Sequence, residues 1–171
     1  MQHLARALNW TLLSAVALVS LRAEAKLIPL TLERLHSWSD YMVVANVDQI
    51  RVDGNYVVAR LDIAQCYGMH GSCKLRKNED VVLFDNTSTE HGKISVGSKY
   101  LIFIDQCRDK SLTITTPNAF ASLTGSDELI QAGSLGLTQS IQYKDLELKM
   151  NLLRSRRTNK DRSFQCSAAR T

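Results

Sequence analysis

Most of the signatures that would name a function are missing from these 171 residues. There is no C-x-x-C pair, so a thioredoxin-type redox role has no support. No G-x-S-x-G, no glycine-rich phosphate cradle and no dinucleotide fingerprint occurs. Aromatic residues make up only 6% of the chain, too few for the stacking platform of a single-strand nucleic-acid binder, so nucleic acid is not an expected partner. No apolar run reaches the ~20 residues of a membrane-spanning helix. The carboxylate pairs Glu79-Asp80 and Asp127-Glu128 are sequence neighbours, which diverge on any regular element, so a two-carboxylate glycosidase is unsupported. Repeats and low-complexity tracts are absent as well.

What is present begins with an export signal. Arg6 supplies a positive start, residues 12–21 form an apolar run broken only by Ser14 and Ser20, and Ala23-Glu24-Ala25 closes it. That is the three-part layout of a cleaved secretory signal over residues 1–25, with Lys26 as the expected mature terminus. The remaining 146 residues fit one domain. Their net charge of +3 is unevenly spread: from Lys144 onward eight basic residues face three acidic ones, while the body before it is nearly neutral. The expected location is secreted or periplasmic. No cysteine near the cleavage site offers a bacterial lipid anchor.

Cys66, Cys73, Cys107 and Cys166 are an even count in an exported chain, which favours two disulfides with three possible connectivities. Cys66 and Cys73 flank a short turn-like stretch and are paired here, leaving Cys107 for Cys166. On the chain-entropy model the short ring contributes about 2.5 kcal/mol and the long one about 4. A zinc site is the competing reading, since Cys66, His70 and Cys73 with His91 carry the right donor types. The spacing matches no common zinc knuckle, and oxidising surroundings favour the bridge, so no metal and no cofactor are expected.

Along the mature chain, residues 31–35 form a helical turn. Residues 41–52 read as a long strand whose apolar phase changes: Val43, Ala45 and Val47 share one parity, Ile50 and Val52 the other. A phase change inside one strand is what a β-bulge produces. Asp53-Gly54 then signals a tight hairpin. The return strand, residues 56–63, alternates with Val57, Ala59, Leu61 and Ile63 inward and Val58, Arg60 and Asp62 outward. Residues 81–84, 100–104 and 112–115 complete five strands; the run at 100–104 is apolar on both parities, as expected of a strand covered on both faces. The loop after the third strand carries the sequon Asn86-Thr87-Ser88. Gly125, Gly133 and Gly136 among Ser and Thr read as irregular chain. Tyr143, Leu146, Met150 and Leu153 fall on one helical stripe; Leu146, Leu148, Met150 and Leu152 also alternate, but the helix-forming composition favours a helix.

The expected fold is therefore mainly β: a small OB-like five-stranded barrel with a C-terminal helix, one domain over residues 26–153, and a basic tail over 154–171.

Ser39-Asp40-Tyr41-Met42-Val43-Val44-Ala45-Asn46-Val47 resembles the opening strand of TIMP/netrin-like domains, and Val96-Gly97-Ser98-Lys99-Tyr100-Leu101-Ile102-Phe103 resembles a later strand of theirs. The similarity spans about residues 39–115 and implies an OB-type barrel of the kind also found in exported bacterial proteins. It does not imply protease inhibition. TIMPs chelate the target zinc through a cysteine at the mature N-terminus, whereas Lys26 stands there in this chain and no cysteine precedes Cys66.

Nucleophilic catalysis needs a Ser or Cys beside a His that a carboxylate orients. The mature chain offers His36, His70 and His91. His36, next to Trp38 at a packing turn, reads as structural, and the other two as solvated loop residues. In the tail, Arg154, Arg156, Arg157, Lys160 and Arg162 form an anionic-binding set that is most simply solvated. Taken together, the residues favour an exported, non-enzymatic binding module whose partner is an unidentified protein or a cell-surface polymer. The alternatives are a periplasmic hydrolase with a dispersed site and a binder of anionic polymer or lipid surfaces through the tail.

Overall fold

The long strand that opens at Tyr41 decides the architecture, because it has neighbours on both sides. The structure, a computed structural model, describes residues 30–85, 94–124 and 129–155. In chain order it holds α1 (Leu32–Trp38), β1 (Tyr41–Asp53), β2 (Tyr56–Gly68), β3 (Asn78–Asp85), β4 (Lys99–Gln106) and β5 (Leu112–Ile114). There follow β6 (Phe120–Thr124), β7 (Leu129–Ile130), a 3-10 turn (Ser134–Gly136), β8 (Ile141–Gln142) and α2 (Tyr143–Ser155). β1 pairs antiparallel with β2 along one edge and with β4 along the other. β2–β3 and β4–β5 are antiparallel, and β3–β5 is a short parallel seam. Following neighbours from β1 through β2, β3, β5 and β4 returns to β1, so the sheet closes into a five-stranded barrel.

The phase change in β1 is a bulge, as the apolar pattern requires. Val47 pairs with Leu61 and Gln49 with Arg60, leaving Asp48 unmatched; a second shift lies between Val44 and Ala45. Such bulges coil a strand, which lets β1 serve both edges of a closing sheet. At its far end Gly54, with φ +58°, makes the hairpin turn into β2.

The core runs along β1, β2 and β4. Met42, Val43, Val44, Ala45 and Val47 are buried irrespective of parity, so the first half of β1 is covered on both faces and not on one. Tyr100 to Ile104 is buried at every position, in line with its two-parity apolar run. Ala59 and Leu61 face inward from β2, with Val57 beside them.

The C-terminal half bears out the expected helix and differs from expectation on either side of it. The stretch after β5, expected to be irregular, holds β6, β7, β8 and the 3-10 turn; β6 pairs with β4, and β7 joins β6 to β8. The ambiguous apolar pattern after residue 141 is a helix, with Tyr143, Leu146 and Met150 buried on the barrel. It runs to Ser155, so Arg154, assigned to the tail, belongs to its last turn. Asp145 in the first turn and Arg154 in the last both suit the helix dipole.

At the end of the barrel where Tyr41 pairs with Gly68, α1 meets α2. Thr31 caps α1, its Oγ1 accepting from the Arg34 amide at 3.3 Å. The Ser39 and Thr115 hydroxyls hydrogen-bond at 2.8 Å in the interior, tying the start of β1 to the end of β5.

Candidate functional site

Two neighbourhoods concentrate chemistry-bearing side chains. The first is a cleft of about 370 Å³ on the outer surface of the barrel. It crosses β1, β2 and β3 and is flanked by the β4–β5 turn. Strand register builds it. Arg60 sits directly opposite Asp80 across β2–β3, and Arg51 lies on the next strand, opposite Val58. Arg60 Nε and Nη2 donate to the two Asp80 oxygens at 2.9 and 3.3 Å. Arg51 Nη2 donates to Asp80 Oδ2 at 2.9 Å. The hydrogen bonds from Arg51 and Arg60 hold the Asp80 carboxyl well below the usual carboxylate range, at about 2. Asp80 is therefore a fixed anion, not a proton carrier at any ordinary pH.

Val58 stands at an outward position of β2 yet is 6% exposed, and with Val82 and Leu112 it gives the cleft an apolar part. Lys110 and Ser111 bring the β4–β5 turn to the rim. That turn is tightly made. The Cys107 amide donates to the Ser111 carbonyl and the Lys110 amide to the Cys107 carbonyl, both at 2.9 Å. Asp109 Oδ1 accepts from the Ser111 amide and hydroxyl at 3.0 and 2.6 Å. The geometry places Lys110 at φ +70°, a left-handed conformation that a non-glycine residue adopts only when its surroundings impose it. With Asp53 and Glu79 also lining it, the cleft balances three basic against three acidic side chains among the described residues. Among them no histidine and no cysteine lines it.

The second neighbourhood lies at the α1–α2 end. Cys66 and Cys73 are disulfide-bonded, with Cα atoms 5.9 Å apart, as the turn-like spacing indicates. Both sulfurs are used in that bridge, so the C-x3-H-x2-C spacing leaves only His70 as a donor. Among the described residues no group of three metal-ligating side chains occurs. Cys107 is disulfide-bonded too, and its expected partner, Cys166, lies outside the described residues. His36 is 1% exposed and meets the edge of the His70 ring at 5.4 Å and 74°. Burial, then His70 and Arg154, push the His36 imidazole below its ordinary value. A carboxylate orienting it for base catalysis would push the other way. The Arg154 guanidinium lies 5.9 Å from the Tyr67 ring centre, and the Tyr67 hydroxyl donates to Asn151 Oδ1 at 2.8 Å. Arg154 thus works in part as a clamp between α2 and β2. The other basic residues of the tail set, Arg156, Arg157, Lys160 and Arg162, lie outside the described residues, as do His91 and the Asn86 sequon.

The chain matches no family model, no curated protein and no solved structure. Sequence reasoning named none of Arg51, Arg60, Asp80 and Lys110 as a site. The outward parity of Arg60 was the one available signal; its pairing with Asp80 depends on strand register, which no local motif states.

Proposed function

We propose that this protein is an exported, non-enzymatic contact module that receives one or two side chains of a partner protein in the cleft across β2 and β3. The observation that carries this reading is the Arg51–Asp80–Arg60 arrangement beside the Lys110 turn. It is a polar, charge-paired surface held rigid by three strands. By analogy of fold, barrels of this connectivity commonly take ligands on the face of the second and third strands and at the turn between the fourth and fifth. A cleft of this size fits side chains, not a folded domain. Its mixed charge suits a protein surface better than a polyanion.

Export is part of the proposal. The signal-like start at residues 1–25 supports it, and so does the Cys66–Cys73 bridge. The TIMP/netrin-like resemblance is likewise retained as a proposal. Its two motif segments fall on β1 and β4, which are antiparallel neighbours.

The test is photo-crosslinking of the secreted chain in its native compartment. A photoactivatable residue replaces Lys110 in one variant and Lys144, on α2, in another. Capture of a partner protein at 110 and not at 144 supports the reading. Equal capture at both positions, or capture only at 144, refutes it.

A further inference from the structure

The cleft has an internal order that narrows its occupant. Two rows of side chains cross it. One is Arg51–Val58–Val82, each residue paired with the next across β1, β2 and β3. The other is the pair Arg60–Asp80, two residues further along β2 and β3. Side chains two apart on a strand share a face, so both rows point outward, about 7 Å from each other at ~3.3 Å per residue.

The charged row keeps donors to spare. Asp80 takes three hydrogen bonds, in which Arg51 Nε and Nη1 and Arg60 Nη1 have no part. A guanidinium carries a fixed fork of N–H donors, so Asp80 holds both forks in place while leaving part of each unused. Their side chains stay open to solvent, 38% and 50% exposed. Lys110 adds a third cation at the rim and makes no ion pair among the described residues. The acids oppose these donors weakly. Asp80 is already engaged, and Glu79, on the other strand parity, accepts from the Arg76 amide at 2.8 Å. Asp53 remains, at the end of β1. Beside the spare donors lies the apolar Val58–Val82 pair.

Given the contact reading above, on which this rests, we infer that the cleft binds an acidic side chain of an extended partner segment, with an aliphatic side chain two residues away on the Val58–Val82 pair. An extended chain places residues i and i+2 on one face at the spacing of the two rows. A basic partner residue is the wrong occupant, since it meets three cations and only one acid that is not already engaged. Inorganic phosphate or sulfate fits less well, because it leaves the valines without a contact and brings a second charge toward Asp53 and Asp80.

The experiment selects binders of the mature chain, disulfides intact, from a random dodecapeptide library displayed on phage, and measures their affinities by fluorescence polarisation. Peptides with Asp or Glu two residues from Leu, Ile or Val are expected, bound more weakly as salt rises. Arg60→Gln is expected to weaken them on the order of tenfold. Lys110→Asn breaks no ion pair among the described residues and suits the left-handed turn; it is expected to weaken them about threefold and keeps the test open should Arg60→Gln fail to fold. Val82→Arg, which fills the apolar row, is expected to abolish binding. Peptides lost with Val82→Arg but lacking an acid overturn the inference and leave the contact reading in place. Acidic peptides held equally by the parent, Arg60→Gln and Lys110→Asn chains overturn it, as does a library that yields no binder. The contact reading keeps its own test in cross-linking from position 110, where both guanidiniums are untouched.

Discussion

Arg60 and Asp80 face each other across the β2–β3 ladder, and the guanidinium spans both carboxylate oxygens at 2.9 and 3.3 Å. With Arg51 on the same carboxylate, the cleft has a fixed anion between two cations. The Asp80 carboxyl, held at about 2, lies below its ordinary value near 3.8, so the folded state binds fewer protons than the unfolded state as the pH falls between these values. Its stabilisation is complete above the ordinary value and is lost as the pH falls toward 2. Because the side chain is a third exposed, solvent screening reduces this to about 1 kcal/mol. Asp80→Asn should therefore lower the thermal midpoint by about 3 °C at pH 6, and the gap to the parent chain should close as the pH approaches 2.

The histidine corner gives the opposite range. Burial, His70 and Arg154 all hold the His36 imidazole below its ordinary 6.5. The unfolded chain then takes up a proton that the folded chain resists, so stability falls as the pH drops below about 6.5. Replacement by the uncharged His36→Phe should flatten the dependence of the denaturant midpoint between pH 7.5 and 5.5. An unchanged slope would assign the effect to other groups.

The Cys66–Cys73 bridge closes a small ring between the end of β2 and the segment leading to β3. Loss of both cysteines in Cys66→Ala/Cys73→Ala should cost about 2.5 kcal/mol in urea unfolding on the chain-entropy model. The barrel itself should survive, because the β1–β2 pairs from Ala45 to Asp53 and the whole β2–β3 ladder lie outside the ring.

Two glycines separate conformational freedom from close approach. Both Gly54 (φ +58°) and Gly136 (φ +69°) are left-handed. A Cβ at Gly54 meets nothing, whereas one at Gly136 would collide with the backbone carbonyl of Leu30. Gly54→Ala should cost about 1 kcal/mol, the left-handed penalty alone. Gly136→Ala should cost about 3 kcal/mol or more, since a backbone atom must move as well. Equal costs would mean that the approach of Leu30 to the 3-10 turn is absent in solution.

The barrel was legible because its signals are local. The Asp48 bulge was written in the parity switch between Val47 and Ile50, the hairpin in Asp53-Gly54, and the central strand in the two-parity run at Tyr100 to Ile104. Leu146 and Met150 fit helix and strand alike, and helix-forming neighbours decided correctly. β7 and β8 are two residues each and were missed, since strands so short have no period to read. The cleft stayed hidden for a different reason. Arg51, Arg60, Asp80 and Lys110 come from four elements, and only register and a left-handed turn residue bring them together.

Non-reducing peptide mapping by mass spectrometry, on protein recovered from its native compartment, bears most directly on the central claim of an exported, oxidised barrel that works by contact. A chain beginning at Lys26, carrying a Cys66–Cys73 cross-linked peptide and no free thiol, is the predicted result. A chain that still begins at Met1 with four reduced cysteines would contradict it.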